Sequence, residues 1–164
     1  MLIDKLPESI TMQLYLQRND TDVLSGQILY SSSKKWLHPL LDLQEFLTLH
    51  SKYENRDCQT FEFEGGVTAS PVNLILRDRV IGRAAAFLII RMGIRKVETD
   101  LISRGALALL NANSVSIEAI ETTDAIKCIT EDLLKDITDS EKAFSILTER
   151  RTKELNRMTL THRF

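Results

Sequence analysis

Hydrophobic residues are densest between Ala84 and Ile90, where every position is apolar. A helix over such a run has no solvated face, so it must lie between a sheet and other elements that cover it nearly all round. Asp78 has the side chain of an N-cap, and Gly93 suits the left-handed residue that follows a helix. The pattern predicts a central buried helix over Asp78–Gly93, with Ser70-Pro71 as an alternative start.

The first 66 residues show shorter patterns. Thr11–Gln17 and Val23–Tyr30 alternate as two strands of a hairpin, although a helix over the first fifteen residues is an alternative. Trp36–His50 has the spacing of an amphipathic helix with a proline in its first turn. Thr60–Glu64 alternates as a short strand, which the pair Gly65-Gly66 ends in a turn.

Beyond the central helix, strands and helices alternate. The predicted elements are a strand over Lys96–Ile102, a helix from Ser103 to Leu110, a strand over Val115–Ile120, a helix over Ile129–Ile137 and a last helix opened by the capping box Thr138–Glu141 and running to about Asn156. Such an alternation is typical of crossover units, so the two strands should be parallel neighbours. Ligands in these sheets bind outside the carboxyl ends of the strands, which here means Ser103, Arg104 and the segment Glu121–Cys128.

Gly82 lies inside the predicted helix, where glycine costs about 1 kcal/mol relative to alanine. Close approach of a strand or a ligand would compensate for that cost, and Arg79 and Arg83 flank the gap at i and i+4. One interpretation is an anion-binding helix start. The other is that Gly82, Ala85 and Ala86 are small because the helix packs tightly, with both arginines solvated.

Composition places the chain among ordinary globular proteins. The 164 residues are 43% hydrophobic and 27% charged with a net charge of −2, which fits one domain and gives no sign of a nucleic-acid surface. Cys58 and Cys128 are too few and too far apart for a disulfide framework or a four-cysteine zinc site. The first residues lack the pattern of a signal peptide and no apolar run can span a membrane, so we expect a soluble cytoplasmic protein.

The stretches RDRVIGRAAAFLIIRMGIRKV, LISRGALALL, DAIKCITEDL and DITDSEKAF resemble an uncharacterised prokaryotic family, a domain of unknown function with a fold similar to cytidine deaminases. The resemblance covers about Val67–Ile146. Its most specific pattern is aspartate, a basic residue, valine, any residue, glycine, a basic residue and three alanines, matched from Asp78 to Ala86. A second pattern, cysteine-proline followed by glutamate, is matched by Cys128 and Glu131, with Ile129 in place of the proline.

The resemblance implies a cytidine-deaminase-like α/β fold, a three-layer α/β/α sandwich with a mixed sheet. Within a single domain, the deaminase-like core would occupy residues 67–137, between the N-terminal hairpin and helix of residues 1–66 and the C-terminal helix and tail of residues 138–164. Zinc deaminases need a His or Cys and a catalytic Glu at the start of one helix and a cysteine pair at the start of the next. The starts at Asp78–Ala86 and Ser103–Leu107 contain none of these residues, and His38, His50 and His162 lie elsewhere. We therefore expect neither zinc nor another cofactor.

In a deaminase-like arrangement the N-termini of the central helix and of the Ser103 helix face one cleft. The candidate ligand-binding residues there are Asp78, Arg79, Gly82, Arg83, Ser103, Arg104, Cys128 and Glu131. Helix N-termini and arginines favour a small anion such as a nucleotide or a phosphate metabolite. The leading hypothesis is a non-catalytic domain that binds such an anion. One alternative is an enzyme with Cys128 as nucleophile and Asp78 or Asp124 as its acid/base partner. Another is a structural oligomer whose cleft is a subunit interface.

Overall fold

The protein is an α/β fold built on a mixed five-stranded sheet, described by a computed structural model for residues 3–17, 26–53 and 59–161. The strands are β1 (Met12–Leu16), β2 (Ile28–Ser32), β3 (Ser51–Tyr53), β4 (Gln59–Glu62), β5 (Thr68–Ala69), β6 (Leu74–Ile81), β7 (Lys96–Ser103) and β8 (Ser116–Thr123). The helices are α1 (His38–Leu49), α2 (Arg83–Arg91), α3 (Arg104–Ala112), α4 (Ile129–Leu134) and α5 (Ser140–Thr161).

The main sheet has the strand order β2-β1-β6-β7-β8. β1 pairs antiparallel with both β2 and β6, whereas β6, β7 and β8 are parallel neighbours. The parallel strands are joined by α2 and α3, as crossover connections require. The predicted parallel pairing of the last two strands is therefore confirmed. A second sheet has the order β3-β4-β5.

The predicted helix start at Asp78 is wrong, because residues 74–81 form β6, the middle strand of the sheet. Leu74, Ile75 and Leu76 are all buried, and a strand covered on both faces has no polar alternation to reveal it. The alternative start at Ser70-Pro71 is wrong as well, since Pro71–Asn73 is a single 3₁₀ turn. Helix α2 begins only at Arg83, after Gly82 in extended conformation.

The predicted burial of the central helix is confirmed. Residues 84–89 are at most 3% exposed, and α2 packs against α1, α3, α4 and α5. Gly93 has a φ of 72°, the left-handed conformation expected of the residue after a helix. Helix α2 is thus the element around which the described helices assemble.

The N-terminal segment, residues 4–10, is fixed to the sheet by arginines of β6. Arg77, only 4% exposed, donates from Nη2 to the Asp4 carbonyl and, at 2.5 Å, to Asp100 Oδ1 on β7. Arg79 donates from Nη2 to the carbonyls of Pro7 and Ile10 at 2.6 and 2.7 Å. The Pro7 carbonyl also accepts from Ile10 N at 2.9 Å, so the arginines add to that turn bond and provide donors for the carbonyls of Asp4 and Ile10.

The remaining elements follow the sequence pattern with shifted ends. The hairpin is confirmed as β1 and β2, although Ser31 and Ser32 extend β2 and the part of the predicted second strand before Gly26 lies outside the described residues. Gly65 and Gly66 both have positive φ, as their turn requires. The cap of α5 is Asp139, whose Oδ1 accepts from Lys142 N at 2.7 Å, and not the predicted Thr138. Cys58 and His162 also lie outside the described residues.

No helix in the described part of the chain is long and apolar enough to cross a membrane.

Candidate functional site at the start of helix α2

The N-terminus of α2 holds a carboxylate from the same chain. Arg83 N donates to Glu131 Oε1 at 2.5 Å, and Glu131 lies on α4. A Cβ atom on Gly82 would lie 2.1 Å from the same oxygen, so only glycine leaves room for the carboxylate in this position. The group that approaches Gly82 is the side chain of Glu131, and not the strand or ligand that the sequence suggested, and Gly82 precedes α2 instead of lying inside it.

Arg83 makes the reciprocal contact with α4. Its Nε donates to the Leu134 carbonyl at 2.8 Å and its Nη2 to the Ile137 carbonyl at 2.6 Å. Carbonyls at a helix C-terminus have no partner within the helix and attract cations. The backbone at Arg83 therefore binds an anion from the start of α4, while its guanidinium caps the end of α4.

Ser103 brings the second helix N-terminus to the same carboxylate. As N-cap of α3, its Oγ accepts from Ala106 N at 3.2 Å, which confirms the predicted cap. The Ser103 hydroxyl also lies near enough to Glu131 to lower the pKa of its carboxyl group. We call the group formed by Gly82, the Arg83 N–H, Ser103 and Glu131 the carboxylate cradle.

Burial raises the pKa of Glu131 above its ordinary value, although the hydrogen bond from Arg83 N, the Arg83 charge and Ser103 act in the opposite direction. Desolvation disfavours the charged form, and hydrogen bonds to a carboxylate favour it. An anion in the cradle is thus partly desolvated, and the backbone N–H and the hydroxyl group near it offset part of that cost.

Asp78 and Arg79 belong to β6 and lie before the cradle in the strand. Asp78 is opposite Met12 of β1 and Thr99 of β7, both of which are fully buried. The Asp78 residue retains some exposed surface, but its carboxyl group is enclosed by protein, and this burial raises its pKa to about 7. Hydrogen bonds from the backbone of Val80 and Arg79 oppose that shift only in part.

The other predicted site residues have local partners. Arg104 Nε lies 2.8 Å from Asp124 Oδ1 in an ion pair whose side chains are both largely exposed. Cys128 precedes α4, and its Sγ lies 3.0 Å from Thr130 Oγ1. A hydroxyl is not a base strong enough to activate a thiol, so these contacts add no support for Cys128 as a nucleophile. That role stays a prediction.

Periodicity and spacing alone did not identify the partner of the α2 start. Glu131 was selected only through the family pattern, because a glutamate 48 residues after Arg83 carries no local signal of the contact. Within residues 3–17, 26–53 and 59–161, no group of three or more His, Cys, Asp and Glu side chains is arranged to hold a metal ion.

Comparison with known proteins reveals similarity to one family. A family model described as TM1506, Domain of unknown function (DUF1893), matches residues 72–150, just under half of the chain. This chain is similar to that family. The match confirms the resemblance to a domain of unknown function and includes α2, α3, α4 and the whole carboxylate cradle. No curated protein matches the chain.

A solved structure supports the fold. The crystal structure of a DUF1893 family protein (TM1506) from Thermotoga maritima, at 2.70 Å resolution, matches with a TM-score of 0.62 and 19% sequence identity. The match covers 86% of this chain and 80% of that one. At this identity the likeness shows a shared fold.

The cradle gives a prediction for Gly82. We expect Gly82→Ala to lower the free energy of unfolding by about 1–3 kcal/mol, because the new methyl group displaces Glu131 and breaks its buried hydrogen bonds.

Glu131→Ala should lower the free energy of unfolding by a similar amount. In the double variant the two costs should not add, and urea unfolding of all four proteins measures the coupling. Strict additivity would show that Glu131 does not occupy the space beside Gly82. Gly105→Ala, with no atom near the added Cβ, is the matched control.

Proposed function

We propose that this protein is a non-deaminating, deaminase-like domain that binds a small anionic ligand at the N-termini of α2 and α3. One observation carries the proposal: a carboxylate, that of Glu131, already receives the free backbone N–H of Arg83 beside a glycine that leaves it room. Helix N-termini attract anions through unpaired N–H groups and the helix dipole. A ligand with a carboxylate or phosphate group would take the same donors when Glu131 moves aside.

The deaminase-like part of the proposal rests on strand order and on the position of the helix starts. An antiparallel pair, β2-β1, continues into the parallel strands β6, β7 and β8. The helices that follow β6 and β7 begin at one end of the sheet, and Glu131 contacts both starts. This arrangement supports the cleft that the family resemblance implies. The three-layer arrangement of that fold stays a prediction.

The chemistry of the helix starts argues against zinc-dependent deamination. Position by position, α2 opens with glycine, arginine and alanine, and α3 opens with serine, arginine and glycine. None of these side chains is a zinc ligand of the His, Cys or carboxylate type. The glutamate in the cleft accepts from the backbone N–H of Arg83 and lies near the Ser103 hydroxyl, so helix donors surround its carboxylate. We therefore assign binding, and no hydrolysis, to this cleft.

Glu131 suits the role of an internal occupant that a ligand replaces. It is carried by the six-residue helix α4, whose residues Ile129, Asp132 and Leu133 are exposed. The charge of Arg83 is directed at α4 carbonyls, while Arg104 lies beside Ser103 at the surface, paired with exposed Asp124. An incoming anion therefore gains backbone donors, the Ser103 hydroxyl and the Arg104 cation.

Chemical rescue tests the proposal. Glu131→Ala should leave the cradle donors without an acceptor, so acetate or inorganic phosphate should raise the Tm of this variant more than that of the wild type. Ligand binding stabilises the folded state by RT ln(1 + [L]/Kd), so the free energy of unfolding should rise by about 1.4 kcal/mol for each tenfold increase in ligand concentration well above Kd. Chloride at equal ionic strength corrects for general salt effects.

Glu149→Ala is the matched control, since Glu149 is an exposed helical glutamate paired with Lys153 and far from the cradle in sequence. Its Tm should respond to acetate and phosphate as the wild type does. Nucleotides screened against the wild type and Glu131→Ala then extend the series to larger ligands. If the Tm of Glu131→Ala rises no more than that of Glu149→Ala with any of these anions, the cradle is a structural contact and the binding function is wrong.

A further inference from the structure

The strand β8 ends the main sheet with an open hydrogen-bonding edge. In the described part of the chain it pairs with β7 alone, in a register that runs without shift from Ser116 to Thr123. Alternate N–H and C=O groups of such a strand point away from the sheet and lack a strand partner. The edge is eight residues long and contains no proline, lysine or bulge, which are among the devices that prevent pairing, and its charged side chains are Glu118 and Glu121.

The second half of β8 is also exposed on both faces. Residues 119–122 are four consecutive exposed positions within a regular ladder, and Ile120 has 42% of its surface accessible. Side chains alternate between the faces of a sheet, so consecutive exposure means that neither face is covered there. The isoleucines and threonines of β8 favour a strand and gain stability from cross-strand neighbours, which on this side of β8 are absent from the described residues.

We propose that two copies of this chain associate through β8, in an antiparallel pair centred on Ile120, so that two five-stranded sheets become one. In an antiparallel pair with two-fold symmetry, each residue of one copy lies opposite one residue of the other copy. The sum of the two residue numbers is the same for every opposed pair. Centred on Ile120, the pairing places Ile120 against its symmetry mate, Glu118 opposite Thr122, and Ala119 opposite Glu121. Apolar side chains meet at the centre, and each carboxylate faces a neutral residue.

The charge pattern selects this register among its neighbours. Moving the centre by one residue to Glu121 would set the two copies of Glu121 opposite each other, and like charges directly opposite each other are destabilising. Centring on Ala119 would set Ile120 opposite Glu118. The strand is thus complementary to itself in one arrangement, which is why the occupant of the edge is a second copy of the chain.

Sedimentation velocity and light scattering of the full chain over a concentration series test this association. We expect a dimer whose formation depends on concentration. Thr122→Glu should weaken it, because the new carboxylate faces Glu118 of the other copy, and Thr122→Lys should strengthen it. Each change occurs twice at a two-fold interface, so the dissociation constant should shift by about 2- to 30-fold in opposite directions.

Two further variants locate the interface. Ile120→Lys places two cations side by side at the centre and should abolish the dimer, whereas Ile28→Lys changes an exposed isoleucine on β2 at the other end of the sheet and should not. Circular dichroism verifies that each variant is folded. If Ile120→Lys does not fold, the two variants at the exposed Thr122 still test the interface. A monomer at all concentrations, a dimer indifferent to both Thr122 variants, or equal loss with Ile28→Lys would overturn the proposal.

Discussion

Replacing Asp100 with alanine is expected to lower the free energy of unfolding by about 3–5 kcal/mol, the usual cost of leaving a buried charge without its partner. Asp100 Oδ1 lies 2.5 Å from Arg77 Nη2, and the two side chains are 13% and 5% exposed. The same oxygen accepts from Leu6 N at 3.4 Å. Arg77 would keep only its contact to the Asp4 carbonyl, while its Nη1 is buried without a partner already.

Urea unfolding at neutral pH measures this loss. Asp124→Ala is the matched control, because it removes an aspartate from an ion pair with Arg104 whose side chains are 75% and 89% exposed. Surface pairs contribute about 0–1 kcal/mol. A double variant, Arg77→Met with Asp100→Leu, removes both charges and should recover much of the loss. If Asp100→Ala costs no more than Asp124→Ala, the ion pair does not fix the N-terminal segment as the geometry indicates.

Replacing Asp78 with asparagine is expected to stabilise the protein at pH 8 by about 2–4 kcal/mol. Burial raises the pKa of Asp78 to about 7 in the folded protein, against an ordinary value of 3.8. Between these two values the folded state holds a proton that the unfolded state has released, so the contribution of Asp78 to stability falls as pH rises from about 4 to 7. Each unit of pKa shift corresponds to about 1.4 kcal/mol.

The direction in which the stability difference changes with pH tests the burial of the Asp78 carboxyl group. Asparagine stays neutral and can still accept from the backbone of Val80 and Arg79, so the stabilities of the two proteins should separate as the pH rises from 4 to 7 and stay apart above that. Asp136→Asn changes an exposed aspartate after α4, so its free energy of unfolding should depend on pH in the same way as that of the wild type. Free energies of unfolding from pH 4 to 8 provide the measurement. Equal slopes for Asp78→Asn and the wild type would mean that the Asp78 carboxyl is solvated.

Local patterns determined many of the elements of this protein. Helix α1, the end of α2 at Gly93, the Ser103 cap and the strands β1, β7 and β8 all follow from the spacing of apolar residues and from caps and glycines. These signals are readable because the physical cause, a helix repeat or an unpaired end group, lies within a few residues of its effect. The apolar run Ala84–Ile89 likewise predicted a helix buried at the centre of the fold.

Tertiary structure alone decided the role of Asp78 and the partner of the α2 start. Asp78 and Arg79 suggested the polar beginning of a helix, but they lie in the central strand. There Asp100 and the N-terminal segment accept the hydrogen bonds of Arg77 and Arg79. Tertiary context overrides local propensity when partners lie far away in the chain. Glu131 reaches Arg83 N across 48 residues, a contact that only the packing of α4 against α2 creates.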